Sequence, residues 1–397
     1  MTAAQPVRPR RRRDLWFLRW GCLLGLFSFF FLCLVISGLV AGDLFSRGPA
    51  MAALAFFLAT LTAVPYSALL LWFDRNEQEP IVLISTAFMW GAVVATSISL
   101  VVNTAFGTMA FALIGNPALA DQLTASLSAP FIEELTKGVA VMFLFLLFRR
   151  DFDNVLDGII YGALVGMGFA WFENALYYVR AGEGGPVEML KLTYLRGLLN
   201  GITSHAAYTA LTGLGFGLVR VLRRGILRWL LVPLFWGLAM FAHFLWNTFV
   251  GPLIAVTGAR TEIEVLLGGL PLAVLVLQSP FVLLLGLVGL LVWRHESQLI
   301  RRYLRDESAD VVRPEEVSLL VPARRRLWST LRRLLARGPL EAWRFHAFSR
   351  DLIRLAFVKW HHDRDDETDW PVDEDADVLS LRAAIRAHRR KLVGLGG

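Results

Sequence analysis

The sequence predicts an all-α fold: a polytopic membrane helical bundle of about eight transmembrane helices, followed by a helical C-terminal region. Hydrophobic residues make up 56% of the 397 positions, and the mean hydropathy is +0.54. Only 18% of the residues are charged, against about 25% in typical soluble domains. Several apolar runs exceed the roughly 20 residues that a helix needs to cross the hydrocarbon core. The chain is therefore expected to fold in a lipid bilayer.

The N-terminal residues 1–14 are basic, with Arg10 to Arg13 directly before an apolar run from Leu15 to about Val40. This run is longer than the core of a signal peptide, which has about 7–15 residues. We therefore interpret it as a retained first span. An arginine-rich start is also found in nucleic-acid-binding chains. The span that follows favours a membrane anchor, so no nucleic acid is expected as a partner.

Eight spans fit the hydropathy of residues 15–293. They lie at about 15–40, 51–73, 81–105, 122–148, 157–179, 193–219, 229–254 and 265–293. Every second connection between spans lies on the same side of the membrane. Lys and Arg are more frequent in one of these two sets, which contains Arg149, Arg150 and the arginines between 220 and 228. The positive-inside rule then places both termini in the cytoplasm of a multi-pass protein in the cell membrane.

Residues 294–397 form a charged tail with helical periodicity, expected in the cytoplasm. Its segment 325–338, RRLWSTLRRLLARG, has apolar and basic residues at helical spacing. Helices of this kind bind anionic lipid at the inner leaflet. A solvated helix in a small cytoplasmic bundle would explain the same pattern equally well.

Two adjacent glutamates, Glu133 and Glu134, interrupt the apolar fourth span. A charged carboxylate at the centre of a bilayer costs roughly 2.5–3.5 kcal/mol even on lenient scales, and such residues usually mark a site. Lys137 follows Glu133 at i+4, in the favourable order. Adjacent helical positions differ in direction by about 100°. We therefore expect one glutamate to face a cavity and the other to pair with Lys137 or to support the site from behind.

The next three spans carry ionisable residues at a similar depth. Counted from the outer ends of the helices, Glu134 lies roughly 18 Å deep, Glu173 roughly 9 Å, His205 roughly 18 Å and His243 roughly 15 Å. Asn247 lies one turn after His243, so its amide is expected to orient the imidazole or to meet a substrate backbone. The four spans are predicted to share one polar layer, slightly outside the bilayer centre.

Imidazoles and carboxylates in such a layer suit hydrolysis in two ways. In the first, a divalent metal acidifies a bound water; zinc is the first candidate, and Glu134, Glu173, His205 and His243 are the candidate ligands. In the second, a glutamate acts as general base and the histidines stabilise an oxyanion without a metal. The sequence leaves both open. The HExxH pattern of zinc proteases does not occur.

These motifs resemble the PrsW family of intramembrane proteases, part of a superfamily with the CAAX prenyl endopeptidases. The matching segments are EELTK at 133–137, FAWFEN at 169–174, His205 within SHAAYTAL, and HFLWN at 243–247. The resemblance covers roughly residues 50–295. It implies cleavage of a membrane-anchored protein substrate near the outer side of the bilayer. The residues that it implies for the active site are Glu133, Glu134, Lys137, Glu173, His205, His243 and Asn247.

Two other functional classes remain as alternatives to an intramembrane endopeptidase. A proton- or ion-coupled transporter would also use buried carboxylates and histidines. Transporter folds often contain internal repeats, and no clear repeat relates the two halves of this sequence. A non-enzymatic scaffold that binds a partner through its tail would leave the buried polar layer unexplained.

Overall fold

The computed structural model describes residues 13–74, 76, 79–149, 151–222, 225–364 and 371–392, with only the backbone for 13–27 and 364. Most of the expected N-terminal anchor, Arg10 to Arg12, lies outside the described residues, as do Arg150, Arg223 and Arg224. Contacts divide the chain into two units. The bundle unit comprises Met1–Leu70 and Pro80–Leu285, and the tail unit comprises Leu71–Glu79 and Gly286–Gly397. The predicted boundaries at 14 and 293 stay predictions.

Eight helical segments follow the expected spans in order. They are α1 (Arg13–Arg47), α2 (Pro49–Phe73), α3 (Ile81–Ile114), α4 (117–147), α5 (Val155–Gly182), α6 (186–221), α7 (Ile226–Val256) and α8 (Glu262–Leu304). No strand occurs in the part of the chain that the structure describes. The expected all-α membrane fold is therefore confirmed.

Six of the eight segments are long and apolar enough to cross a membrane: α1 from Ser28, α2, α3, α5, α7 and α8. The other two are the segments in which polar groups interrupt the apolar sequence. The helix α4 carries Glu133, Glu134 and Lys137, and α6 is broken at Gly201. The departure from a plain membrane helix therefore occurs where the sequence places its candidate site.

The centre of the bundle unit is α5, which is buried along most of its length. Three glycines spaced by four residues, Gly158, Gly162 and Gly166, face α6. A Cβ atom at Gly166 would lie 2.1 Å from the carbonyl oxygen of His205. Small residues at this spacing let membrane helices approach closely. The glycine ridge on α5 therefore sets the distance at which His205 lies.

The start of α5 is fixed by a capping box. The Asn154 side chain accepts hydrogen bonds from the backbone N–H groups of Leu156 and Asp157, at 2.6 and 3.1 Å. In return, the carboxylate of Asp157 accepts from the backbone N–H of Asn154 at 2.9 Å. These bonds satisfy donors that a helix start leaves open. The helix that carries Glu173 is thus anchored at its far end.

Irregular helical turns lie near the polar layer. A π-helical turn spans Trp90–Ala95 in α3, another Thr124–Ser128 in α4, and two more lie in α6 at Thr193–Leu199 and Ile202–Ala206. The backbone at Ser204 is non-helical, with φ −98° and ψ −117°. Such bulges are frequent at functional sites. In α6 the break sets the direction in which His205 enters the bundle.

The tail unit is a small helical bundle. Beyond α8 it contains α9 (Pro314–Leu320), α10 (Ala323–Arg337), α11 (Pro339–Arg364), a short turn at Val372–Glu374, and α12 (Ala376–Lys391). Its apolar core includes Leu304, Val312, Leu320, Phe345, Phe348, Leu352 and Ile385. The expected helical character of the tail is confirmed.

Candidate active site

A buried lysine on α4 lies at the centre of the polar layer. The ammonium of Lys137 lies 2.8 Å from Oε1 of Glu134 and 3.4 Å from Oε2 of Glu133. It also lies 3.0 Å from Nδ1 of His205 and 3.7 Å from the ring centre of Phe169. Both glutamates therefore share one cation, whereas the helical geometry alone predicted a pairing with one of them.

Glu134 is completely buried and has a partner for each carboxylate oxygen. Its Oε1 lies 3.1 Å from Nδ1 of His243, and its Oε2 accepts a hydrogen bond from Thr209 at 3.1 Å. An ionised carboxylate only accepts, so this contact places the His243 proton on Nδ1. Its backbone carbonyl accepts from Trp236 at 2.8 Å. Glu134 therefore holds α4, α6 and α7 together and orients one imidazole.

Glu173 on α5 is paired with Arg196, which lies near the start of the expected sixth span. Its Oε2 accepts a hydrogen bond from Arg196 and lies 2.9 Å from Nε2 of His205. Arg196 also donates from Nε to Asn174 at 2.8 Å, and its guanidinium lies 4.0 Å over the ring of Tyr177. The sequence signal that could have identified Arg196 was a single arginine near the start of an apolar span.

Glu133 is the most loosely held of the three carboxylates. Besides the 3.4 Å contact with Lys137, its carboxylate accepts a hydrogen bond from Nδ2 of Asn103 at 3.4 Å. It lies 4.0 Å from Nδ1 of His205. These distances exceed the 2.7–3.2 Å or so of an ordinary N–H···O hydrogen bond. The carboxylate of Glu133 is consequently the one best able to take a new partner.

The two imidazoles lie next to each other. The ring centres of His205 and His243 are 5.1 Å apart and the rings are nearly perpendicular, at 83°. Tyr208 stacks on His243 at 5.1 Å, and Gln278 on α8 donates to the Tyr208 hydroxyl at 2.9 Å. Glu133, His205 and His243 each offer one ligand atom within 4.8 Å of the others.

Asn247 meets a backbone group and not the imidazole of His243. Its amide donates to the carbonyl of Ala125, in the π-helical turn of α4, at 2.8 Å. The side chain also lines a small chamber beside His205 and His243. Contact with a substrate backbone, the second role expected for Asn247, stays a prediction.

A cavity of about 710 Å³ leads to this chamber. Small and hydroxyl side chains of α3 and α4 line it, among them Thr96, Ser99, Thr104, Gly107, Ala120 and Thr124. The chamber itself has about 80 Å³ and reaches both imidazoles. Glu133 and Glu173 line both spaces. Glu133 therefore combines loose contacts with access to a space that a substrate could enter.

The formal charges of the layer do not balance. Three carboxylates, Glu133, Glu134 and Glu173, face two cationic side chains, Lys137 and Arg196. With all three carboxylates ionised and both imidazoles neutral, one negative charge is left over. A buried charge is costly unless it is paired. The layer is therefore suited to accept one further positive charge or partner.

The donor set fits a divalent metal in its chemistry. Glu133, His205 and His243 are one carboxylate and two imidazoles, a set that occurs in catalytic zinc sites. Imidazoles that bind a metal usually contact a carboxylate through the other nitrogen. Glu173 meets His205 at Nε2 and Glu134 meets His243 at Nδ1. Two of the expected ligands, Glu134 and Glu173, thus lie behind the imidazoles.

Lys137 places a condition on metal binding. Its ammonium lies 3.0 Å from Nδ1 of His205, the nitrogen that Glu173 leaves available. Ligation through this nitrogen requires Lys137 to withdraw towards Glu134. The arrangement is thus compatible with a metal site and with a metal-free site in which the lysine supplies the positive charge.

A profile of the family described as PrsW family intramembrane metalloprotease matches residues 79–285, just over half of the chain. The chain belongs to the PrsW family. The matched region contains α3 to α7, which carry all seven predicted site residues. The family resemblance and the expected class, a membrane protease, are confirmed.

Named relatives agree with this membership. The chain is 32% identical over 165 residues to Protease PrsW of Geobacillus kaustophilus. This alignment covers 41% of this chain and 66% of that protein. It is 31% identical over 183 residues to Protease PrsW of Halalkalibacterium halodurans, in an alignment that covers 45% of this chain and 78% of the relative. For Protease PrsW of Bacillus subtilis the identity is 28%, over 42% of this chain and 70% of the relative.

No solved structure matches the chain. The matched part of the Geobacillus protein falls just short of two thirds of its length. PrsW membership therefore supports a multi-pass membrane protease here, and the substrate, the metal and the orientation of the termini are matters for proposal.

Proposed function

We propose that this PrsW-family chain is an intramembrane endopeptidase that hydrolyses a peptide bond of a membrane-anchored protein near the outer side of the bilayer. The main support is Glu133, which lines the cavity and the chamber and has only contacts of 3.4 Å. A carboxylate with room for a water molecule beside two imidazoles suits hydrolysis of a carbonyl. The expected orientation, with both termini in the cytoplasm, is part of the proposal.

In the metal-free version of the reaction, Glu133 is the general base. It takes a proton from water as the oxygen attacks the peptide carbonyl, and it returns the proton to the amine as the C–N bond breaks. A neutral imidazole gives its one N–H to Glu173 or Glu134, so His205 or His243 donates to the developing oxyanion only after taking up a second proton. Lys137 offsets the charge of the carboxylates. Glu134 and Glu173 act as positioning residues through the imidazoles.

In the metal version, Glu133, His205 and His243 are the proposed ligands, and zinc is the first candidate. This set replaces the Glu134 and Glu173 of the sequence-based expectation with Glu133. A divalent ion held by these residues would supply Lewis-acid polarisation of the carbonyl and a more acidic water. Glu134 and Glu173 hold the tautomers of the two imidazoles in this version as well.

The cavity lining suggests how a substrate is bound. The α3 residues Thr96, Ser99, Asn103 and Thr104 recur at helical spacing, so one face of α3 offers hydroxyl and amide groups to the cavity. An extended peptide needs such partners for its backbone in a low-dielectric site. We propose that the bound segment is extended and polar, and adjoins the membrane anchor of the substrate.

The proposal is tested with purified protein and a panel of single-span proteins. Wild type is expected to cleave at least one of them at a defined bond. Glu134→Gln and His243→Ala are expected to abolish cleavage with expression intact. Glu188→Gln, which changes an exposed glutamate on α6, is the matched control and should cleave normally. Full activity in both site variants would refute the proposal.

Cleavage measured with and without a metal chelator distinguishes the two versions of the reaction. Loss of cleavage with chelator, restoration by zinc, and about one zinc per chain in elemental analysis would support the metal version. Cleavage that continues after complete removal of metal would assign the reaction to Glu133 as general base.

A further inference from the structure

The basic helix α10 of the tail unit turns its apolar side outward. Leu327, Trp328, Leu331, Leu334 and Leu335 lie within about a third of the helix circumference, given 3.6 residues per turn. All five are exposed; the exposed fraction is 86% for Leu335 and 67% for Trp328. A helix of a soluble domain directs such a stripe towards the core.

Arginines occupy the inward side of α10. The guanidinium of Arg326 is buried and donates to the carbonyl of Leu320 at 3.1 Å and to Asn76 at 2.7 Å. Arg333 lies 4.5 Å over the ring of Phe345. The polarity of α10 is thus reversed, with charged side chains towards the tail unit and leucines towards the outside.

Further exposed apolar side chains follow α10 along the chain, and α10 itself carries exposed arginines. Leu340 and Trp343, at the start of α11, are exposed by 59% and 62%. Arg324, Arg325 and Arg332 are exposed on α10 itself. Residues 323–340 contain no Asp or Glu. Large exposed apolar patches mark interaction sites, and the charge here indicates an anionic partner.

We propose that this surface, the α10 face (Leu327, Trp328, Leu331, Leu334, Leu335, Leu340 and Trp343), lies in the interfacial region of an anionic bilayer. Interfacial helices bury such a face at the boundary of headgroups and acyl chains. Each arginine near an anionic surface strengthens this attachment. Tryptophan is also enriched at this depth.

The chain itself keeps α10 close to a membrane. Ala323, the first residue of α10, follows Trp293 of the apolar helix α8 by 30 residues. Even a fully extended chain of this length reaches only about 100 Å. This connection therefore gives the α10 face a high effective concentration at the membrane surface.

A second copy of the chain suits this surface less well. A symmetric contact places the same patch on both partners, so both would bring Arg324, Arg325 and Arg332 to one interface. Like charges brought together across an interface are destabilising. Anionic headgroups remove this conflict. The proposal depends on the membrane fold and is independent of the proposed protease reaction.

The test uses the full chain in nanodiscs of phosphatidylcholine, with or without phosphatidylglycerol. A nitroxide is attached at Leu335→Cys in a Cys22→Ser, Cys33→Ala background. Its accessibility to oxygen, which concentrates in lipid, is compared with that to a water-soluble nickel chelate. A label at His346→Cys, an exposed position on α11, is the aqueous control.

We expect the oxygen-to-nickel accessibility ratio at residue 335 to exceed that at residue 346 severalfold, and to rise when phosphatidylglycerol is present. Arg324→Glu with Arg332→Glu should lower the ratio, whereas the control Arg354→Glu on α11 should not. A ratio at residue 335 equal to that at 346 would overturn the proposal. Shielding from both reagents would indicate a protein interface and would also overturn it, as would a ratio that is insensitive to phosphatidylglycerol.

Discussion

The bundle unit and the tail unit each contain a buried ionic cluster, and the two differ in charge balance. In the tail unit, the side chain of Glu307 is only 2% exposed and lies 2.8 Å from Lys359 and 2.7 Å from Arg382. Arg382 also pairs at 2.6 Å with Asp373, a carboxylate at the surface of the cluster. Two carboxylates thus meet two cations. The bundle cluster sets three carboxylates against two cations.

We propose that this difference separates a structural cluster from a reactive one. A buried ion pair with every charge matched is complete, and it mainly specifies how its helices pack. The surplus carboxylate of the bundle, Glu133, is instead loosely held beside a cavity. Strained or unbalanced groups at a cavity are typical of functional sites.

The largest effect is expected from removing a shared cation. Lys137→Met leaves Glu134 and Glu133 without their common partner, and breaking a buried pair costs about 3–5 kcal/mol. In the tail unit, Lys359→Met leaves Glu307 bound to Arg382 and should cost less, about 1.5–3 kcal/mol. Thermal unfolding in detergent measures both. Equal losses of stability in the two variants would show that the two clusters do not differ in how their carboxylates depend on a cation.

A smaller effect is expected where packing positions the site. Gly166→Ala places a Cβ against the carbonyl oxygen of His205, and overpacking of this kind costs about 1–3 kcal/mol. Cleavage should fall as His205 shifts. Gly237→Ala on α7, where nothing lies within 4 Å of the added Cβ, is the control. An unchanged rate in Gly166→Ala would show that the α5–α6 distance does not position the imidazole.

The smallest effect is a pH dependence of the tail unit. Burial raises the pKa of Glu307, but the bonds from Arg382 and Lys359 outweigh it and hold that pKa below its ordinary value of 4.5. Such a group stabilises the fold above the ordinary pKa, and this contribution is lost as the pH falls through the lowered one. Between pH 6 and pH 3, the thermal unfolding temperature should therefore fall less steeply in Glu307→Gln than in wild type. Parallel profiles would contradict the assignment.

The helices and most of the site could be predicted from the sequence because they follow local rules. Apolar runs of sufficient length locate the eight segments, and the isolated charges within them identify Glu133, Glu134, Glu173 and the two histidines. Each of these signals is present in one stretch of chain. A depth count along each helix was enough to expect that they share a layer.

The remaining features depend on contacts between distant segments. Which of Glu133 and Glu134 is the proposed base follows from neighbouring side chains on α3, α6 and α7. Their positions on the helix show only that the two side chains point in different directions. Arg196 faces Glu173 because α6 is irregular between Thr193 and Ala206. The outward turn of α10 likewise depends on what Arg326 meets in the tail unit.

The surplus carboxylate is tested most directly by comparing two glutamine variants for cleavage of a single-span substrate. Glu133→Gln removes the surplus charge of the bundle cluster, and Glu307→Gln removes the matched carboxylate of the tail cluster. Loss of a general base costs about 10²–10⁴-fold in rate. We expect a loss of this size in Glu133→Gln and a wild-type rate in Glu307→Gln. A wild-type rate in Glu133→Gln, with the protein folded, would contradict the assignment of the reaction to Glu133.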